Sequence, residues 1–409
     1  MNILYINHYA GSVDMGMEFR PYYLAREWVK MGHKVTIVAG DYSHLRKNNP
    51  SVQRDFQTER IDGIEYVWIR SGAYSGNGAK RAISMVRFVG KLYLHARKIA
   101  KTWKPDIVIA SSTYPLDTYP AYRIARLAGA KYVHEVHDMW PATLYEVGGM
   151  SRNHPFVILM GIAEKAAYKH CDHCVSLLPY AKSYMVEHGL APDKFVVVSN
   201  GVNLAEWENP AGVSEPYHSF FQQHKDDFIV GYVGGHAKSN ALDYALRVAK
   251  RFEADHKDII FVLVGDGVEK PGLMERAKKG NQQNVFFLPA IPKKEVPDLL
   301  RHFDCSYMTG ADSPLYRFGL CLNKLYDSMM AGVPIVCAFH APDTPVITYG
   351  CGFQTDPADE DSVVSDILNV YRMSRKERDE MGARGEAAIR ANFTYDRLAN
   401  IFLEKVGQE

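Results

Sequence analysis

No apolar run in this 409-residue chain reaches the ~20 residues that a membrane span needs. Residues 1–8, Met-Asn-Ile-Leu-Tyr-Ile-Asn-His, lack the charged segment and long apolar segment of a secretory leader. Six cysteines are too few for a disulfide scaffold and read as reduced. Together these absences predict a cytoplasmic protein. Formal net charge is only +1, which gives no overall field to attract nucleic acid. The run His170-Cys171-Asp172-His173-Cys174 has no second ligand pair at finger spacing, so burial of Cys174 in an apolar strand explains it better than zinc. Gly265-Asp266-Gly267 does not complete a dinucleotide fingerprint, which weakens a dehydrogenase reading. One absence is local: no Asp or Glu occurs from Tyr66 to Pro105. Within that stretch Lys80, Arg81, Arg87, Lys91 and Arg97 alternate with Met85, Val86, Phe88, Leu92 and Leu94. The pattern reads as a basic amphipathic helix over 80–104, suited to a membrane surface on the cytoplasmic side. Before it, Ser71–Gly78 reads as a mobile loop beside an acceptor.

What is present is an ordinary folded composition, 47% hydrophobic and 23% charged, in a chain long enough for two domains. Asn2–Asn7 is a short apolar strand, a glycine-containing loop follows, then a helix, then the strand Lys34–Ala39. Strand, helix, strand in that order implies a parallel α/β sheet. Further strands are expected at 64–69, 106–110, 131–136, 173–177 and 195–198. Asn209–Tyr217 reads as a linker. After it the pattern restarts with strands at 227–233, 259–264, 285–288, 305–308 and 334–337. The expected organisation is a first domain over 1–205, a second over 206–389, and a last helix within 390–409 returning to the first. Two doubly wound Rossmann-like domains facing a cleft would gather ligands beyond the carboxyl ends of their strands.

The stretch 314–336 is the most informative. A loop ending at Phe318-Gly319 leads to Asn323 and Lys324, then to a helix carrying Asp327 that stops at Gly332. A carboxylate in the first helical turn, beside backbone N–H donors, can hold a sugar hydroxyl pair and a phosphate together. That arrangement predicts a nucleotide-sugar site. Gly11-Ser12 follows the first strand, where backbone can approach a diphosphate. Gly234-Gly235-His236-Ala237-Lys238-Ser239-Asn240 holds the same place in the second domain, with Lys238 as a mobile charge for phosphate and Asn240 as a helix cap. Gly265, Gly267 and Lys270 form a weaker version. The strand end His134-Glu135-Val136-His137-Asp138 puts Glu135 and His137 on one face. Catalytic groups belong at such an end, and no metal-ligand spacing accompanies it.

These segments resemble the GT4-type retaining glycosyltransferases of the GT-B fold. The chain is similar to bacterial O-antigen and capsule N-acetylhexosamine (FucNAc-type) transferases at Glu135–Pro141 and Leu322–Met329, and also at Gly32–Val35, Val198–Val202 and Ala331–Pro334. The resemblance implies sugar transfer with retained configuration from a nucleoside diphosphate donor, UDP in preference to GDP. It implies that Asp327 binds ribose, and that Gly11, Gly235, Lys238 and Lys324 surround the diphosphate. His137 would lie by the donor sugar. Arg317, Phe318, Gly319, Leu320, Asn323 and Leu325 complete the expected donor contacts, with Arg317 or the 318–320 backbone replacing a family Glu whose position is taken by Tyr316. The implied acceptor is a saccharide on a polyprenyl diphosphate.

A double displacement would need a carboxylate nucleophile, for which Glu135 and Asp138 are the candidates. Front-face substitution is the expectation, with Lys238 and Lys324 stabilising the leaving diphosphate and no metal or other cofactor. Two rivals remain: a nucleotide-sugar epimerase of the same fold, and a non-catalytic nucleotide-sugar-binding protein.

Overall fold

The fold is described from a computed structural model at residues 1–16, 19–76 and 78–407. Asn77, in the expected mobile loop, and residues 408–409 lie outside the described residues, as do residues 17 and 18.

The chain divides into two compact units, Met1–Ser199 with Tyr395–Glu409, and Asn200–Thr394. In the first, β1 (Asn2–Ile6), β2 (Lys34–Gly40), β3 (Gln57–Ile61), β4 (Ile64–Ile69), β5 (Ile107–Ala110), β6 (Lys131–Val136), β7 (His173–Ser176) and β8 (Phe195–Val197) form one sheet in the order β3-β4-β2-β1-β5-β6-β7-β8. All neighbours are parallel except β3 against β4. The second unit carries β9 (Phe228–Val233), β10 (Ile259–Val264), β11 (Val285–Leu288), β12 (Cys305–Thr309), β13 (Ile335–Ala338) and β14 (Gly352–Thr355), all parallel, in the order β11-β10-β9-β12-β13-β14.

Both sheets are covered on two faces, which is why their central strands are unbroken apolar runs. All six residues of β10 are buried. The sequence pattern missed β3 and β14. β3 reads Gln-Thr-Glu-Arg-Ile with an exposed middle, because it is an antiparallel edge strand. β14 is four residues beginning with a glycine. The segment 209–217 is not a free linker: the Asp298 carboxylate accepts from Val213 N–H at 2.8 Å, and Glu295 accepts from the Ser214 hydroxyl at 2.8 Å.

The helix Tyr395–Gly407 completes the first unit by packing on the helix Phe19–Lys30. Trp28 Nε1 donates to the Ala399 carbonyl at 3.0 Å, and the Trp28 and Phe402 rings meet at 5.2 Å. The expected basic helix is two helices, Ala79–Leu94 and Ala96–Trp103. No helix among the described residues is long and apolar enough to cross a membrane.

The chain adds strands on one side of β1 and then, from β5, on the other, and does the same about β9 and β12 in the second unit. The loops leaving these strands part there and open a crevice at the carboxyl ends. In the second unit the loops touch, through Ala311 N–H donating to the Ser239 carbonyl at 2.9 Å.

Candidate active site

In the second unit, β9 ends in the loop 234–240, β10 in 265–267, and the helix Asn323–Met330 follows the 310–322 loop. Gly265 has φ +148°, and a Cβ there would lie 1.9 Å from the Gly234 carbonyl oxygen, so only glycine lets the two loops meet. Lys324 is the focus. Its ammonium donates to Asn240 Oδ1 at 2.7 Å and to Tyr232 Oη at 3.4 Å, and it lies 4.8 Å from the Tyr232 ring centre. No carboxylate among the described residues forms an ion pair with it. Burial pushes its pKa down to about 8. Asn240 also donates from Nδ2 to the Gly235 carbonyl at 2.8 Å, so one amide ties the first glycine loop to the lysine. It does not cap the following helix, whose N-cap position is Leu242.

Asp327 lies in the second turn of its helix, not the first. Its carboxylate oxygens accept from Lys293 Nζ at 3.1 and 2.8 Å rather than from backbone N–H groups. Burial works against the Lys293 charge, but Asp327 holds its pKa above the usual lysine range. Tyr232, Gly234, Lys293, Lys324, Asp327 and Ser328 line a cavity of about 200 Å³. Nothing in the pattern singled out Lys293, which sits in a Lys-Lys-Glu run like any charged surface turn. Tyr232 looked like one more apolar strand position.

The other candidates in this unit divide. Lys238 and Gly235 are exposed. Asn323 opens the helix and is exposed, while Leu325 is fully buried in the core. Gly319 adopts φ +96° after a 3₁₀ turn Pro314–Phe318; Phe318 and Leu320 are buried. Arg317 Cζ stacks 4.2 Å from the Phe318 ring centre. Tyr316 packs edge-on against Phe339 at 5.0 Å. Lys270 donates to the Gly265 and Leu288 carbonyls at 2.7 and 2.8 Å, so it braces the β10 loop instead of offering its charge. His236 is fully buried with neither ring nitrogen hydrogen-bonded; burial, then Lys270, lowers its pKa to about 4. That ring cannot touch a ligand in this arrangement.

The first unit brings together groups from three strands and the first helix. Glu135 is fully buried. Its Oε1 accepts from Arg20 Nη2 at 2.9 Å and Nε at 3.1 Å. Its Oε2 accepts from Tyr5 Oη, from Ser111 Oγ at 2.6 Å and from His137 Nε2 at 3.1 Å. Burial alone would raise this carboxyl, but Arg20 and then His137 hold it well below the usual range. Every lone pair is engaged, so Glu135 has no free face from which to act as a nucleophile. It positions His137 instead. Ser111 gives its single proton to Glu135, so at 2.8 Å it can only accept from His137 Nε2. The imidazole proton is therefore on Nε2, which leaves Nδ1 as the acceptor in the neutral ring. Arg20 and Ser111 were missed; the only sign of Arg20 was a charge on the mainly apolar buried face of its helix, which also carries Glu27.

Asp138 is exposed at the end of the same strand. Ser12 is buried with an unpartnered hydroxyl, and Gly11 accepts from Tyr66 Oη at 2.7 Å. Asp117, fully buried, accepts Ser112 N–H at 2.8 Å, and burial lifts its pKa to about 7. Cys171 and Cys174 are free and buried.

Two doubly wound parallel units with these strand-end sites define the GT-B class of fold. Solved structures agree. HepE of Anabaena, determined with UDP and glucose, superposes with a TM-score of 0.68 at 14% identity over all of both chains. Sucrose-phosphate synthase of Thermosynechococcus elongatus gives 0.74 at 14% identity, covering 98% of this chain and 97% of that one. WaaG, a glycosyltransferase involved in lipopolysaccharide biosynthesis, gives 0.68 at 12% identity, covering 99% and 100%. Residues 15–206 match Glycosyltransferase Family 4, and residues 214–388 match Glycosyl transferases group 1. The chain belongs to the GT4 family and is a glycosyltransferase. A curated relative, the WcaI glycosyl transferase named for colanic acid biosynthesis in Escherichia coli (strain K12), is 21% identical over 287 residues, 68% of this chain and 69% of that protein.

Proposed function

We propose that this enzyme transfers a sugar, with retained configuration, from a UDP-sugar donor to a lipid-linked saccharide during surface polysaccharide assembly. The donor would bind the second unit and the acceptor the first. The observation that carries the donor reading is Lys324: a buried ammonium held by neutral oxygens, without a carboxylate, matches what a diphosphate needs. Asp327 would accept the ribose hydroxyls, with Lys293 holding the carboxylate charged and oriented. HepE was solved in complex with UDP, and WcaI is named for colanic acid biosynthesis; both favour the same donor and pathway class.

In the reaction, the acceptor oxygen forms the new bond to the anomeric carbon as the bond to the diphosphate oxygen breaks. The acceptor proton passes to the departing diphosphate. Negative charge grows on that leaving group, and Lys324, Lys238 and the Gly235 backbone N–H would stabilise it. His137 Nδ1 would accept from a sugar hydroxyl. The saturated Glu135 carboxylate favours this front-face route over double displacement. A UDP-N-acetyl sugar, and membrane contact through the basic helices, are part of the proposal. So is independence of divalent metal, since no step above assigns one a task. The test is transfer from a panel of radiolabelled UDP-sugars to polyprenyl-diphosphate-linked saccharides, with and without excess EDTA. Transfer abolished by EDTA and restored by Mg²⁺ would overturn metal independence. Donor isomerisation without acceptor would indicate an epimerase, and binding without turnover a non-catalytic protein.

A further inference from the structure

The first unit holds a second cavity, of about 1020 Å³, at the upper end of the range for ligand sites, which is about 300–1,000 Å³. Its wall is chiefly apolar: Leu45, Met85, Trp140, Leu144, Val147 and Phe156. Its polar lining comprises His44, Arg81, Thr113, Asp138, Thr143 and His154. Asp138 adjoins His137 in the chain, which puts part of this polar lining next to the strand-end cluster. Arg81 is anchored by Nε donating to Tyr9 Oη at 3.2 Å, with its guanidinium 5.4 Å from the Tyr9 ring centre. Thr113 Oγ1 is buried without a partner.

The apolar wall continues outward onto exposed side chains. Val147 lines the cavity and is 54% exposed. Ile83 and Val86 stand exposed on the helix that supplies Arg81 and Met85, and Ile158 and Ile162 on the helix that begins next to Phe156. Lys80 and Arg87 lie beside Ile83 and Val86 on their helix, at helical spacing, in the stretch that contains no acidic residue. A soluble saccharide would need many hydrogen-bonding groups; this wall offers aliphatic carbon that leads to a basic, apolar rim.

We propose that this cavity binds the prenyl diphosphate portion of the acceptor. The diphosphate would meet Arg81, and the isoprenoid chain would run along Met85, Leu144, Val147 and Phe156 toward the rim. The linked sugar would stand at Thr113 and Asp138. This rests on the lipid-linked acceptor reading given above.

The test measures binding to the full-length protein by titration calorimetry, with UDP saturating so that the donor site is occupied. The probes are inorganic, isopentenyl, geranyl and farnesyl diphosphate, and farnesol. Affinity is expected to rise at least about tenfold from isopentenyl to farnesyl diphosphate, since each added methylene group is removed from water. Val147→Glu and Ala82→Glu should each weaken farnesyl diphosphate at least tenfold, and Arg81→Gln should weaken it without changing farnesol. Equal affinity for all diphosphates, or full affinity in a folded Val147→Glu, would overturn the proposal. Transfer assays separate the two readings. If lipid-linked saccharides remain the required acceptors while chain length and Val147→Glu have no effect, only the cavity assignment falls. If a lipid-free saccharide serves equally well, both fall.

Discussion

Glu135 in the first unit and Lys324 in the second are both buried charges, but their surroundings differ. Glu135 accepts from Arg20, Tyr5, Ser111 and His137, so its charge is fully answered within the fold. Among the described residues, Lys324 donates only to an amide oxygen and a phenol oxygen. The first arrangement lowers a carboxyl pKa and fixes a histidine; the second lowers a lysine pKa and leaves its charge without a carboxylate partner among the described residues. A charge satisfied internally positions other groups. A charge satisfied only by neutral neighbours stores binding energy for an anion, at some expense to stability.

Glu135→Gln is the strongest way to break this contrast. It leaves Arg20 buried without its carboxylate and should cost about 3–5 kcal/mol of stability, read as a lower denaturation midpoint. An unchanged midpoint would mean that the network is not what holds His137. Lys324→Met should act in the opposite sense: transfer should fall about 10²–10³-fold in kcat, while thermal stability holds or rises. A fall in both would show that Lys324 is structural.

The pH dependence follows from the same lysine. Its folded pKa of about 8 lies below its unfolded value, so folding disfavours the charge, although the lysine is still mostly charged at neutral pH. Stability should therefore rise as pH climbs from about 8 toward 10. On the proposed donor reading UDP would bind the charged form, so its affinity should weaken up to about tenfold per pH unit above 8. Lys324→Met should remove that slope. The smallest expected effect is for Asp327→Asn, which keeps the shape but loses the Lys293 pair. The donor KM should rise about tenfold with kcat little changed, as for a lost charged hydrogen bond. A fall in kcat alone would move Asp327 from donor binding to chemistry.

Much of the parallel framework was legible because buried parallel strands must be apolar throughout, as in β10, and because glycines mark the turns after β9 and β10. The edges were not: β3 faces solvent and carries no such pattern. At the site, Lys324, Asp327 and His137 stood out because polar groups at strand and helix ends rarely have a packing reason. Lys270 and His236 stood out for the same reason, yet the fold uses one as a brace and buries the other.

The sequence alone determined the α/β class, the restart of the pattern after residue 209, and the stretches that supply the candidate site residues, since these depend on local periodicity and chain connectivity. Only the tertiary structure decided which charges are answered. Arg20 reaches Glu135 across 115 positions, Lys293 reaches Asp327 across 34, and Asn240 reaches Lys324 across 84. Such pairings depend on distances across a folded sheet, and neither the spacing nor the type of a residue encodes them.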